Sequence, residues 1–188
     1  MIRARASMAP AAIDATGPSL CGDRRGLALV EFALVLPIML TLFLGGFQLT
    51  QASACQRRVS IVARALADLV SQYETINATQ VGTILDATSQ IMAPYDIDAA
   101  HSRVSLIKVE SASKVTVVWS EAKNASPRPV GAYDALPAAM RIAGSYYVVG
   151  EVTYDYNPLS GRFAWPITFT QTLFMVPRKS TFVECSSC

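Results

Sequence analysis

The chain has 188 residues, room for one ordinary domain with a tail or an anchor. It is 52% hydrophobic and 16% charged with a mean hydropathy of +0.32, whereas soluble domains carry about 25% charged residues, so the apolar excess points to a membrane segment. A net charge of +2, no basic run interleaved with aromatics and one histidine, His101, argue against nucleic acid as a partner and against histidine-based metal or acid–base sites.

Residues 1–26 are rich in proline, glycine and small residues, a content from which no packed structure is expected. The first strong signal is "RRGLALVEFALVLPIML" at 24–40, an apolar run interrupted by Glu31. From Phe32 to Cys55 there is no Asp, Glu, Lys or Arg, a stretch of 24 residues. As a helix it measures roughly 36 Å, more than the hydrocarbon core of about 30 Å. Pro37 is better tolerated in a membrane helix than in a soluble one, and Gly45-Gly46 weakens the helix or lets a neighbouring helix approach. A buried core helix would be shorter. "ASA" at 52–54 matches a signal-peptidase site, but the apolar stretch ahead of it is long for a signal peptide and Glu31 sits badly within one. Arginines flank the run on both sides, so the charge bias is small. The short N-terminal side and long globular remainder favour N-terminus in and C-terminal domain out.

A carboxylate inside a membrane helix costs about 2.5–3.5 kcal/mol at the centre and less near an interface, where Glu31 lies. If the chain is cut after Gly26, Leu27 gains a free α-amino group and Glu31 becomes the fifth residue. Residues four apart share a helix face. In two copies displaced along the axis, one ammonium would then meet the neighbour's carboxylate and set the register.

Beyond the run, Gln56 to Tyr73 reads as a continuation of the same helix, with an apolar stripe at Val59, Val62, Leu66, Leu69 and Tyr73. Thr79 is the expected N-cap of a second helix to about Met92, whose apolar face includes Val81, Ile84, Leu85 and Thr88; Pro94 stops it. "RVSLIKVE" (103–110) and "KVTVVWS" (114–120) read as a hairpin, 121–131 as a surface loop, and 134–144 as a short helix ending at Gly144. Residues 145–156 alternate, with Tyr146, Val148, Gly150, Val152, Tyr154 and Tyr156 on one face and Glu151, Thr153 and Asp155 on the other. A turn at Asn157 to Gly161 and a last strand from Ile167 to Val176 complete the chain. The expected class is α+β: a long N-terminal helix packed on a small antiparallel sheet of about four strands.

The cysteines, Cys21, Cys55, Cys185 and Cys188, lack zinc-site spacing. Cys185-Ser-Ser-Cys188 either closes a small disulfide in an oxidising compartment or leaves two thiols on a frayed tail. No catalytic constellation emerges, so neither an enzyme nor a cofactor is expected. His101 reads as a polar turn residue before the first strand, and Glu110, Glu121, Glu151 and Asp155 as solvated strand or loop carboxylates. Tyr133, Tyr146, Tyr147, Tyr154 and Tyr156 read as core and rim.

"RRG/LALVEF" resembles the processing site of type IV pilins and pseudopilins. More specifically, Gly26, Glu31-Phe32, "ALVLP" (33–37) and Gly45-Gly46-Phe47 resemble the opening of TadE-like pseudopilins of the Tad (Flp) pilus system. "VTYDYNPL" (152–159) and a closing strand ending "VPR" (176–178) are similar to the end of that family's exported domain. The resemblance implies a pilin-like fold, with 1–26 a prepilin leader, 27–55 a transmembrane and filament-core helix, and 56–188 an exported domain. Gly26 would precede the cut made by a membrane aspartyl prepilin peptidase, Leu27 would be the first mature residue, and Glu31 with Phe32 would serve recognition or registration. It further implies a minor pilin serving pilus assembly, surface adhesion or biofilm formation. That protein crosses the inner membrane once, N-terminus cytoplasmic and C-terminal domain periplasmic, before passing to an extracellular pilus. Its partners would be other pilins and pseudopilins, the prepilin peptidase, the inner-membrane assembly platform and membrane lipid. The alternative is a permanently anchored scaffold of the same machinery.

Overall fold

A computed structural model describes residues 25–157 and 166–188. Most of the expected leader (1–24) and residues 158–161 of the expected turn lie outside the described residues. The chain divides after Gly46 into two compact units. Helix α1 (Arg25–Ser71, 47 residues) runs through both. Pro37 sits inside it, where the ring removes one ladder donor, and the Thr41 hydroxyl donates to the Pro37 carbonyl at 2.7 Å.

Within the second unit α1 buries a stripe through Cys55, Val59, Val62, Leu66 and Val70, with Ala63 and Ala67 between its large members. The expected Leu69 and Tyr73 are each 38% exposed. Steps of three and four leave two neighbouring lines on a helix, and the line carrying the alanines is the one that meets the sheet closely. After α1 come β1 (Thr75–Ile76) and α2 (Ala78–Ser89), then one 3-10 turn at Gln90–Met92. The N-cap of α2 is Asn77, not Thr79. Asn77 Oδ1 accepts from the Gln80 amide at 2.8 Å and Gln80 Oε1 accepts from the Asn77 amide at 3.0 Å, a reciprocal box that Thr79 has no partner to match.

The sheet strands are β2 (Ala100–Ser111), β3 (Lys114–Lys123), β4 (Gly131–Ala132), β5 (Tyr146–Tyr156) and β6 (Ile167–Met175). They form an antiparallel sheet in the order β4-β3-β2-β5-β6, five strands where about four were expected. The added strand is β4, two residues at the end of the expected 121–131 loop, paired with Thr116 and Val117. A further strand, β7 (Glu184–Cys185), pairs in parallel with β1.

One sheet face carries Val104, Leu106, Trp119, Val148 and Val152 beneath the helices. The other face is buried too: Ile107, Val109, Val115, Val117, Tyr147 and Val149 pack under Tyr133, Leu136 and Met140. A register shift between Leu106 and Ile107 leaves Val118 unpaired, so Val117 and Trp119 bury themselves on opposite faces. The cover over the second face is the stretch expected to be a helix over 134–144. It holds a single 3-10 turn, Ala138–Met140. Pro137 enters that turn, and Arg141 donates to the carbonyls of Leu136 and Asp134 at 3.0 Å each, serving carbonyls that a helix would serve with backbone donors. Gly144 does turn the chain with a left-handed φ of +85°, but into β5 rather than out of a helix.

Candidate functional site

The four residues singled out near the N-terminus lie in the first turns of α1. Gly26 is the second residue of the helix, and a Cβ built on it meets nothing within 4 Å. Leu27 is 60% exposed, Phe32 is 63% exposed, and Glu31 is exposed one turn beyond Leu27 on the same face. From Leu27 to Leu44 the large apolar side chains are all exposed, the least being Leu36 at 40%. A helix apolar on every side and uncovered by its own chain needs lipid or other helices around it. Among the described residues, α1 is the one helix long and apolar enough to cross a membrane.

The C-terminal pair is bonded, Cys185 to Cys188. It closes a strap that returns across the second unit. Val183 is fully buried and its carbonyl accepts the Trp119 indole N–H at 2.9 Å. Beyond it, the Ser186 amide donates to the Ile76 carbonyl at 3.0 Å, and the Ala78 amide at the start of α2 donates to Ser187 Oγ at 3.1 Å. Cys55 is a free thiol, fully buried in the core.

The polar candidates do not converge into a reactive group. His101 lies within β2, opposite Thr153 of β5, and not in a turn before the strand. Its Nδ1 is bonded to the Asn124 carbonyl, and the Asn124 side chain in turn donates to the Ala100 carbonyl at 3.2 Å, which extends the strand past His101. Glu110 pairs with Lys114 at 2.5 Å, and that contact holds its carboxyl below the usual carboxylate range. Asp155 accepts from the Thr168 hydroxyl at 2.7 Å.

Glu151 is the exception to the expected solvated carboxylates, with a side chain only 12% exposed. Arg128 holds it with a fork, Nε to Oε2 at 2.9 Å and Nη2 to Oε1 at 2.6 Å, and Arg103 adds a contact at 3.3 Å. The Arg128 guanidinium also lies 5.2 Å from the centroid of the Tyr133 ring. Its hydrogen bonds to Glu151 push the Arg128 pKa up. Sequence reasoning missed this cluster because β2–β5 pairing and the 124–130 loop alone bring its members together. The Tyr133 hydroxyl is buried and finds no hydrogen-bond partner among the described residues. Of the other tyrosines, Tyr147, Tyr154 and Tyr156 are buried and Tyr146 is half-buried; Tyr95 stands edge-on to both Tyr154 and Tyr156, with centroids 6.2 Å apart in each pair. The described residues contain no group of three or more His, Cys, Asp or Glu placed to hold a metal ion.

Residues 26–68 match the model of a family described as TadE-like protein. No curated protein and no solved structure matches the chain.

Proposed function

We propose that the chain, whose residues 26–68 match the TadE-like family, is a minor pilin of the Tad pilus made as a prepilin. A membrane prepilin peptidase cuts between Gly26 and Leu27, and the freed helix, 27–55, passes from the inner membrane into the filament among other pilins. Residues 56–188 form the exported domain on the periplasmic side. Glu31, with Phe32, serves peptidase recognition and the register between copies.

One observation carries the reading: the family match begins at Gly26, where α1 also starts its uncovered apolar run. The pairing chemistry supports it. A new α-amino group on Leu27 and the Glu31 carboxylate share one helix face, so neighbouring copies offer opposite charges in apolar surroundings. A bonded Cys185–Cys188 suits an oxidising compartment for the second unit. The test is N-terminal sequencing of the protein recovered from membranes and from sheared filaments. A terminus at Leu27 in both supports the proposal. An intact leader in the membrane and no protein in filaments supports a permanently anchored scaffold instead. A terminus near Cys55 overturns both.

A further inference from the structure

Many basic residues of the exported domain are already engaged: Lys108 lies 5.8 Å from the Tyr146 ring centroid and Arg141 donates to backbone carbonyls. Arg103, Lys114, Lys123, Arg128 and Arg178 each pair with a carboxylate. Among the described residues, Arg57, Arg58 and Arg64 of α1 meet none. Arg57 and Arg64 are exposed, while Arg58 is half-buried and spends one nitrogen, Nη1, on the Ile91 carbonyl at 2.9 Å. Guanidinium groups left without counter-charge call for an anion.

Their place on the helix says which anion. A shallow open groove runs along α1, and Leu49, Ser53, Arg57 and Arg58 line it. Leu49, Ser53 and Arg57 are four residues apart and share a face, each about 6 Å further along the axis than the last. The order along the groove is therefore alkyl, hydroxyl, guanidinium. It begins inside the uncharged run that ends at Cys55 and finishes just beyond it. A glycerophospholipid presents its groups in the same order over similar depth: acyl chain, glycerol ester, phosphate. An acidic protein surface has no reason to follow that order.

We propose that Leu49, Ser53 and Arg57, with Arg58 beside them, form a seat for one anionic glycerophospholipid in the leaflet at the domain's end of the helix. Arg57 meets the phosphodiester, Ser53 meets the ester or glycerol level, and Leu49 meets the first acyl carbons. The seat draws a specific lipid to the base of the exported domain. It rests on α1 being a membrane helix and owes nothing to cleavage at Gly26.

The full chain is reconstituted in vesicles of phosphatidylcholine and phosphatidylglycerol, released into mild detergent, and its retained lipids are counted by native mass spectrometry. Phosphatidylglycerol should be enriched over phosphatidylcholine about fivefold. Arg57→Gln should abolish the enrichment without changing the thermal unfolding temperature, because Arg57 is exposed, and Arg57→Lys should keep most of it. Equal retention of the two lipids, or enrichment indifferent to Arg57→Gln, overturns the proposal. So does displacement by millimolar inorganic phosphate, which would make the groove a free-anion site. Lipid-independent association of two copies that Arg57→Gln removes also overturns it, in favour of a protein partner. A chain stripped from the vesicles by alkaline wash defeats the membrane reading and this proposal together, whereas an inserted chain without lipid preference defeats this proposal alone.

Discussion

Gly150 of β5 lies directly against Ala63 of α1: a Cβ on residue 150 would stand 2.6 Å from the Ala63 carbonyl oxygen and 3.1 Å from the Ala67 Cβ. Glycine on the strand and alanine on the helix together allow this close approach. Gly150→Val should therefore force helix and sheet apart and cost about 1–3 kcal/mol, read as a lower unfolding temperature of the purified chain. Gly82 of α2, where a Cβ meets nothing within 4 Å, provides the contrast. Gly82→Ala should be neutral or stabilise by up to about 1 kcal/mol. Equal losses at the two sites would mean that contact with Ala63 is not what requires glycine at 150.

Tyr133 links burial to alkaline stability. Burial is the main cause that pushes its hydroxyl up to about 12 from an ordinary value of 10. The folded protein thus holds this proton where the unfolded chain has released it, and stability is complete below pH 10 and falls as pH rises toward 12. Tyr133→Phe keeps the packing against Phe174 and removes the unpartnered hydroxyl. At pH 7 the variant should be neutral or more stable by up to about 1 kcal/mol. Between pH 10 and 12 its advantage over the natural chain should widen in denaturant titrations. A constant difference across that window would contradict the assignment.

The C-terminal strap should contribute more through Val183 than through its disulfide. Cys185→Ser with Cys188→Ser opens a very short loop and should cost about 2 kcal/mol or less. Removal of 183–188 exposes the space under Val183 and strands the Trp119 indole N–H, and should cost about 3–5 kcal/mol. Differential scanning fluorimetry of both variants gives the order. A larger loss for the disulfide variant would reverse this account.

For the proposed assembly role, Glu31→Ala should insert into the membrane at least as well as the natural chain, because a carboxylate is costly there. It should mature slowly or fail to enter filaments, as followed by fractionation and immunoblotting. Gly26→Phe should leave an uncleaved precursor by filling the position beside the scissile bond, although the helix itself has room for a side chain at 26. Normal filament entry of Glu31→Ala would remove the special role of that carboxylate.

What could be read directly from residues was whatever depends on near neighbours in the chain. The apolar run, the helix beyond it, α2 and the alternation of β5 follow from side-chain spacing along one element, and the α+β class follows from their sum. The misreadings have distant causes. The short helix expected over 134–144 lost to a cover whose shape is dictated by Val115, Tyr147 and Val149 beneath it. Thr79 lost its cap to Asn77 because the partner Gln80 sits three residues on from Asn77. Glu151 looked solvated because its arginines stand 48 residues upstream and 23 residues upstream.

A membrane-length helix with a carboxylate near its start and an antiparallel domain behind it are legible from residue order, since hydropathy and periodicity are local properties. That both faces of the sheet are covered, that a C-terminal strap meets the start of α2, and that Arg57 and Arg58 meet no carboxylate among the described residues follows from the folded arrangement alone. Those outcomes depend on which distant surfaces come within a few ångströms of one another. Strand pairing and close packing settle that, and spacing along the chain does not record it.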